Sequence, residues 1–309
     1  MPTPRLALTV LAASLIGGTG QGAEPQPKLY VDCRGAPSAS PTVILEAGAF
    51  GGAADWDLVL DDLAKGGRVC AYDRGGTGRS PPRAGGEDVA SVARELAATL
   101  DGLGETGPVI LVGHSNGALY AETFAAMWPE RVAGLVYVNG VGDDDADDPV
   151  LVGELKRERR LSDLAVALAR LDLAPAVAQM VTGPSGLPAE AAARKRAALS
   201  DPSSLRAARD EDRAIIPGLA VARALGGSPP QIPTVAIFGG PDPDSPTYRR
   251  WRLAEAAPAK RARAGWVLEA VGATHTSFLG RDRAYVTAAV DWLRSIAQAN
   301  GQHKDDNHD

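Results

Sequence analysis

The stretch Gly113-His114-Ser115-Asn116-Gly117 decides the fold expected for this chain. An apolar run at residues 108–112 precedes it, and a run typical of a helix follows at residues 118–127. Gly-x-Ser-x-Gly between a strand and a helix is typical of a nucleophile elbow, a turn so tight that neighbouring positions need glycine. Because a pentapeptide can arise by chance, its interpretation depends on the rest of the chain.

Strand and helix patterns alternate on both sides of this stretch. The predicted strands are residues 29–32, 42–46, 68–72, 108–112, 134–139, 233–238 and 266–271. The predicted helices include residues 56–65, 89–103, 118–127 and 281–297. This alternation predicts an α/β fold with a mostly parallel sheet that is covered by helices on both faces.

The alternation is interrupted at residues 141–231, where no strand is evident and stretches rich in alanine and leucine follow an acidic run. We expect a helical insertion there, placed within a core made of residues 24–140 and 232–298. The polar residues 299–309 are expected to form a disordered tail.

The N-terminus is typical of a secretory signal peptide. Arg5 precedes an apolar run from Leu6 to Ile16, and small residues follow as far as Ala23. Eleven apolar residues are too few to span a bilayer, so a stable membrane anchor is not expected in the mature form. Residues 1–23 are therefore predicted to be removed, and the protein is predicted to be periplasmic or extracellular.

Charge and cysteine content narrow the function classes further. The net charge is -6 and the basic residues are scattered, which argues against a nucleic-acid-binding surface. The two cysteines, Cys33 and Cys70, lie in or beside predicted strands and would meet an oxidising compartment after export. The residues alone do not distinguish a disulfide between these cysteines from two buried thiols.

A serine needs an adjacent general base to act as a nucleophile. Of the four histidines, His303 and His308 lie in the tail, and the side chain of His114 should leave the turn in a different direction from Ser115. His275, in the loop between the last strand and the last helix, remains as the expected base for Ser115.

A carboxylate must orient that histidine. Asp242 follows the strand at residues 233–238 and precedes His275, which fits the chain order serine, acid, histidine. Asp244, two residues later, and Asp143, after the preceding strand, are alternative acids. The oxyanion donors are expected to be the backbone N–H groups of Asn116 and Ala49.

At this point the chain resembles the α/β-hydrolase superfamily over residues 28–297. The likeness rests on the elbow, on Asp242 and His275 in order, and on two glycine-rich segments at residues 45–48 and 72–80. It implies an eight-strand-type sheet, a helical cap and a serine hydrolase without cofactor or metal. One departure is Glu46-Ala47-Gly48, where many members carry His-Gly.

The resemblance also implies roles for residues outside the triad. Asp73 and Arg74 are expected to brace the turn that follows their strand rather than to act in catalysis. If the sheet follows the family order, the strands near Cys33 and Cys70 are neighbours, which favours a disulfide.

The predicted function is hydrolysis of a small-molecule carboxylic ester through a Ser115–His275–Asp242 triad and an acyl-enzyme intermediate. Amide, peptide or lactone cleavage and acyl transfer on the same triad remain open, because these depend on the pocket. The alternative from another class is a ligand-binding protein on a hydrolase scaffold.

Overall fold

A computed structural model describes residues 28–83, 85–182, 186–240 and 244–305. The strands among them are β1 (Val31–Arg34), β2 (Val43–Glu46), β3 (Val69–Tyr72), β4 (Val109–His114), β5 (Val132–Val138), β6 (Thr234–Phe238) and β7 (Gly265–Glu269). The α-helices are α1 (Asp57–Leu63), α2 (Val89–Leu103), α3 (Asn116–Met127), α4 (Pro149–Leu168), α5 (Ala174–Thr182), α6 (Ala189–Ser200), α7 (Pro202–Ala224), α8 (Pro246–Arg261) and α9 (Ala284–Asp305).

The strands form one sheet in the order β1-β3-β2-β4-β5-β6-β7. Only β1 is antiparallel to its neighbour, and every other pairing is parallel. The mostly parallel α/β sheet is confirmed, although the described residues supply seven strands rather than eight. Parallel strands end at one edge of the sheet, so the loops after β2, β4, β5, β6 and β7 gather there.

Alternate side chains of each strand enter two separate cores. Val43 and Leu45 of β2 pack with α1 and α9 on one face of the sheet. Ile44 of the same strand packs with α2 and α3 on the other face. Each fully buried aliphatic side chain of this kind contributes about 1.5–3 kcal/mol, so the two cores hold the strand ends rigidly.

The antiparallel pairing of β1 with β3 places Cys33 directly opposite Cys70. The two residues form a disulfide, with their Cα atoms 4.1 Å apart. The bridge joins the edge strand of the sheet to its neighbour.

Helices α4 to α7 occupy the interval between β5 and β6, and we call them the cap. The described residues of the interval 141–231 contain helices and no strand. Helix α7 packs against α2 and α3 of the core, where Ile215 and Leu219 meet Val89 and Leu119. The cap therefore lies on the core helix that follows Ser115.

Two predictions about the chain ends have different outcomes. The prediction of a disordered tail is wrong for residues 299–305, because α9 continues to Asp305. Gln302 and Lys304 are good helix formers although Gly301 is not, and extending an existing helix adds one hydrogen bond per residue fixed. The predicted signal peptide lies outside the described residues. Within the part of the chain that the structure describes, no helix has the length and apolarity needed to cross a bilayer.

Candidate active site

Ser115 lies at the junction of β4 and α3, in a backbone conformation that few side chains adopt. Its φ is 54° and its ψ is -127°. The Ser115 N–H donates to the Val138 carbonyl at 3.0 Å, and the Ser115 carbonyl accepts from the Ala118 and Val141 N–H groups, each at 3.0 Å. Such a conformation costs about 1–3 kcal/mol and persists only where its surroundings hold it. Here β5 and α3 hold the serine.

The glycines of the motif are required by close packing. A Cβ on Gly113 would lie 2.4 Å from the Ala118 Cα, and one on Gly117 would lie 2.4 Å from the Glu46 carbonyl oxygen. Both contacts are with backbone, which cannot move aside. A Cβ on Gly48 would lie 2.9 Å from the Ser115 Cβ, so the loop after β2 lies directly against the serine.

Ser115 opens onto a cavity of about 530 Å³ between the core and the cap. His275 and Ala49 line the same cavity. Its wall on the cap side is mainly aliphatic and includes Leu161, Leu164, Leu168, Leu199 and Leu205. The structure thus brings the predicted nucleophile, the predicted base and one predicted oxyanion donor to one apolar space.

His275 lies in the loop after β7 and borders the same cavity as Ser115. Its Nδ1 lies 3.5 Å from the Asn139 Nδ2 at the end of β5. The Asn139 Oδ1 accepts the Gly239 N–H at 2.9 Å, which fixes the direction of the amide. Protein packed around the ring and neighbouring His114 lower the pKa of His275, although the residue is exposed where it borders the cavity. The imidazole is therefore neutral at pH 7.

His114 is buried at the edge of the same cavity, and it holds the loop of the second histidine. Its Nε2 lies 2.8 Å from the His275 carbonyl oxygen. Because a carbonyl only accepts, we assign the proton to the His114 Nε2. Burial lowers the pKa of His114 to about 4, which keeps this ring neutral.

The two predicted oxyanion donors flank Ser115. Asn116 is the first residue of α3, where backbone N–H groups have no partner within the helix. Ala49 lies in the loop after β2 and borders the cavity. Phe50, next to Ala49, has a φ of 55°, so this loop is also conformationally strained.

A family model for the alpha/beta hydrolase fold matches residues 41–279. This chain belongs to the α/β-hydrolase family.

Curated relatives of this α/β hydrolase match it over part of their length. RutD of Azorhizobium caulinodans, named as a candidate carbamate hydrolase, is 36% identical over 112 residues, which are 36% of this chain and 41% of the relative. RutD of Variovorax paradoxus is 42% identical over 105 residues, which are 33% and 39% of the two chains. The chain thus covers about two-fifths of the length of these relatives.

Solved structures share the fold over nearly the whole hydrolase. A thermophilic esterase from Thermogutta terrifontis superposes with a TM-score of 0.63 and 22% identity, covering 90% of this chain and 97% of the esterase. A protein from Pseudomonas aeruginosa, described as a candidate epoxide hydrolase, superposes with a TM-score of 0.69 and 20% identity. The match covers 88% of this chain and 94% of that protein. At these identities the likeness shows the fold alone.

The predicted acids of this hydrolase fall in different places. Asp242 lies outside the described residues, and Asp244 lies just before α8. Asp143 begins a short 3-10 turn and lies 3.7 Å from Arg223 and 3.7 Å from Arg261. The assignment of the acid therefore stays a prediction.

The sequence did not reveal a polar cluster that the cap brings to the site. Asp212 of α7 accepts the Asn116 Nδ2 at 3.3 Å and the Ser162 hydroxyl at 2.6 Å. Burial raises the pKa of Asp212. No motif marks these cap residues, since only the packing of α4 and α7 over Ser115 brings them together.

Proposed function

We propose that this α/β hydrolase cleaves carboxylic esters through an acyl-enzyme intermediate. Ser115 attacks the ester carbonyl, and His275 takes the hydroxyl proton and returns it to the leaving alcohol. Asp242 orients the imidazole, and the N–H groups of Asn116 and Ala49 bind the oxyanion. Water, activated by His275, then releases the carboxylic acid.

The observation that supports this proposal best is that the strained Ser115 and the neutral His275 line one cavity. A serine held at φ 54° is projected out of the sheet edge rather than packed into the core. A serine nucleophile also separates this site from hydrolases that use a carboxylate at the elbow. The aliphatic wall of the cap fits an apolar acyl or alcohol group.

A fluorophosphonate probe, which phosphonylates activated serines, tests the enzyme proposal. We expect it to label the wild-type protein and Ser162→Ala, whose serine lies in the same cavity, but not Ser115→Ala. Equal labelling of Ser115→Ala would disprove the nucleophile. A wild-type protein that stays unlabelled would favour a ligand-binding protein on this scaffold.

The acid is tested by comparing kcat for Asp242→Asn, Asp244→Asn and Asp143→Asn. We expect Asp242→Asn alone to lower kcat by about 10²- to 10⁴-fold, because the imidazolium formed in the transition state loses its counter-ion. A near-normal rate for Asp242→Asn together with a collapse in another variant would reassign the acid.

Carbamate cleavage is the second candidate, and the name of the RutD relatives favours it. Activated esters, carbamates, amides and lactones with the same acyl or alcohol group separate these reactions by kcat/KM. The ester proposal requires the esters to be the best substrates of the panel.

Export to an oxidising compartment is supported by the Cys33–Cys70 disulfide, since such bonds are rare where thiols are kept reduced. Cell fractionation with N-terminal sequencing tests this proposal. A protein that retains its first residues in the cytoplasm would contradict it.

A further inference from the structure

We infer that Arg74 is a positioning residue that orients the Ala49 N–H toward the oxyanion and ties the loop after β2 to cap helix α7. This inference rests on the proposed function, because it assigns a role in the same reaction. The sequence alone indicates for Arg74 only a bracing of the turn that follows β3.

The guanidinium of Arg74 holds the end of β2 at one point and the following loop at two. Its Nη1 donates to the Glu46 Oε1 at 2.7 Å and to the Ala47 carbonyl at 2.6 Å, and its Nη2 donates to the Gly48 carbonyl at 3.0 Å. The side chain is 2% exposed, so water does not compete for these bonds. Consecutive carbonyls of the loop therefore point at one buried cation.

The direction of the Gly48 carbonyl determines the direction of the Ala49 N–H. Both groups belong to one peptide unit, and a trans peptide places its C=O and N–H on opposite sides. Since the Gly48 carbonyl points to Arg74, the Ala49 N–H points away from Arg74. Ala49 borders the cavity beside Ser115. A cation bound to the carbonyl also polarises the peptide and strengthens the N–H as a donor.

The contact with Arg74 also explains why a carboxylate is buried at Glu46. A buried guanidinium needs a buried anion, and Glu46 supplies one directly before the loop. The Tyr72 hydroxyl donates to the second oxygen of Glu46. Glu46 thus serves as the buried counter-ion of the guanidinium that fixes the loop.

Arg74 also reaches the cap. Its Nε donates to the Glu211 Oε2 of α7 at 2.9 Å. The next residue of α7, Asp212, accepts from the side chain of Asn116. Two adjacent residues of α7 therefore contact both segments that carry the predicted oxyanion donors. Glu211 reaches the loop of Ala49 through Arg74, and Asp212 reaches the start of α3 through Asn116. Docking of α7 and geometry of the oxyanion site are coupled.

Arg83 provides a matched control. It is 1% exposed and pairs with the same Glu211, through Oε1 at 2.8 Å, and with Glu95, but no hydrogen bond joins it to the described residues of the loop after β2. Lys in place of either arginine keeps a charge but loses the planar fork that bonds several acceptors at once. Arg74→Lys and Arg83→Lys therefore both disturb the ion pairs of Glu211, and only the first also removes direct hydrogen bonds to the loop.

The test measures the fluorophosphonate labelling rate and kcat per folded site for both variants. We expect Arg74→Lys to lower both by about 10- to 100-fold with little change in KM, as for a weakened oxyanion donor, and Arg83→Lys to stay within about threefold of wild type. Equal losses in the two variants, or an unchanged rate in Arg74→Lys, would overturn the inference while leaving the hydrolase proposal intact. An unlabelled wild type would overturn both.

If Arg74→Lys does not fold, the double variant Arg74→Met/Glu211→Met removes the cation with one of its anions. Glu46 then keeps the Tyr72 hydroxyl as a donor, and burial raises its pKa toward the neutral form. The same loss of kcat at unchanged KM is expected per folded site. A normal rate in this variant would overturn the inference.

Discussion

Ser115 has a strained backbone conformation and places its side chain at the cavity. The φ of 54° is one that glycine adopts without steric cost, yet a hydroxyl is needed at this position. The hydrogen bonds from β5 and α3 balance that strain, and the neighbouring glycines permit the close backbone packing of the turn. The strained conformation of Ser115 therefore lowers the stability of the fold.

Replacement of Ser115 by glycine should therefore stabilise the fold. We expect Ser115→Gly to exceed Ser115→Ala in free energy of unfolding by about 1 kcal/mol, because only glycine relieves the strain. Urea denaturation of the two inactive variants measures the difference. An alanine variant that equals or exceeds the glycine variant would show that the turn is not strained.

His114 should make stability depend on pH. Its folded-state pKa of about 4 lies below the unfolded value of about 6.5, so the unfolded chain binds the proton first. The unfolding free energy should fall as the pH drops from about 6.5 to about 4, and this contribution does not change further below that range.

Comparison with His114→Gln isolates the effect. Between pH 7.5 and pH 4.5 the wild type should lose about 2 kcal/mol more than the variant. Carboxyls whose pKa is raised by burial, such as Glu122 at about 8, act in the opposite direction but are common to both proteins. Parallel pH profiles would refute the assignment of a neutral buried His114.

Among the elements, β1 depends most on a covalent bond. It is a four-residue edge strand whose residues are all partly exposed, whereas β2 and β3 are fully buried. The disulfide to Cys70 compensates for this small apolar contact. The pattern of Cys33 and Cys70 could not by itself distinguish a bridge from two thiols, because only the register of β1 against β3 brings them opposite each other.

Loss of the disulfide should cost stability. The bridge spans 37 residues, and a loop of this length corresponds to about 3–4 kcal/mol of chain entropy. Cys33→Ser/Cys70→Ser should show this loss in urea denaturation. Reductant should destabilise the wild type to a similar extent and leave the double variant unchanged, and a wild type that does not respond while its thiols become free would contradict the prediction.

For the whole molecule, the cap and the core together make the cavity. Leu161 and Leu164 of α4 are exposed, yet both border the cavity above Ser115. Exposed leucines at the opening of an active site can contact a substrate without being part of the core. Substrate preference should therefore depend on the exposed leucines of α4.

Leu164→Gln tests this dependence. Leu164 is 54% exposed, so the fold should tolerate the change, while kcat/KM for a long-chain ester should fall about fivefold through lost apolar contact. The value for an acetate ester should stay the same. Leu253→Gln, at a leucine that is 67% exposed on α8 and does not border this cavity, is the control. Equal effects on both esters would contradict a role of Leu164 in chain-length preference.

The sequence by itself determined the alternation of strands and helices, the elbow at Ser115 and the choice of His275. These follow from local periodicity, from glycines that a tight turn requires and from the small number of histidines. Only the tertiary structure decided the register that joins Cys33 to Cys70, the contact of His114 with the His275 loop, and the bonds from Arg74 to Glu46, Gly48 and Glu211. Those contacts join residues up to 161 positions apart. Local pattern does not encode them, because they arise where separate elements meet at one edge of the sheet.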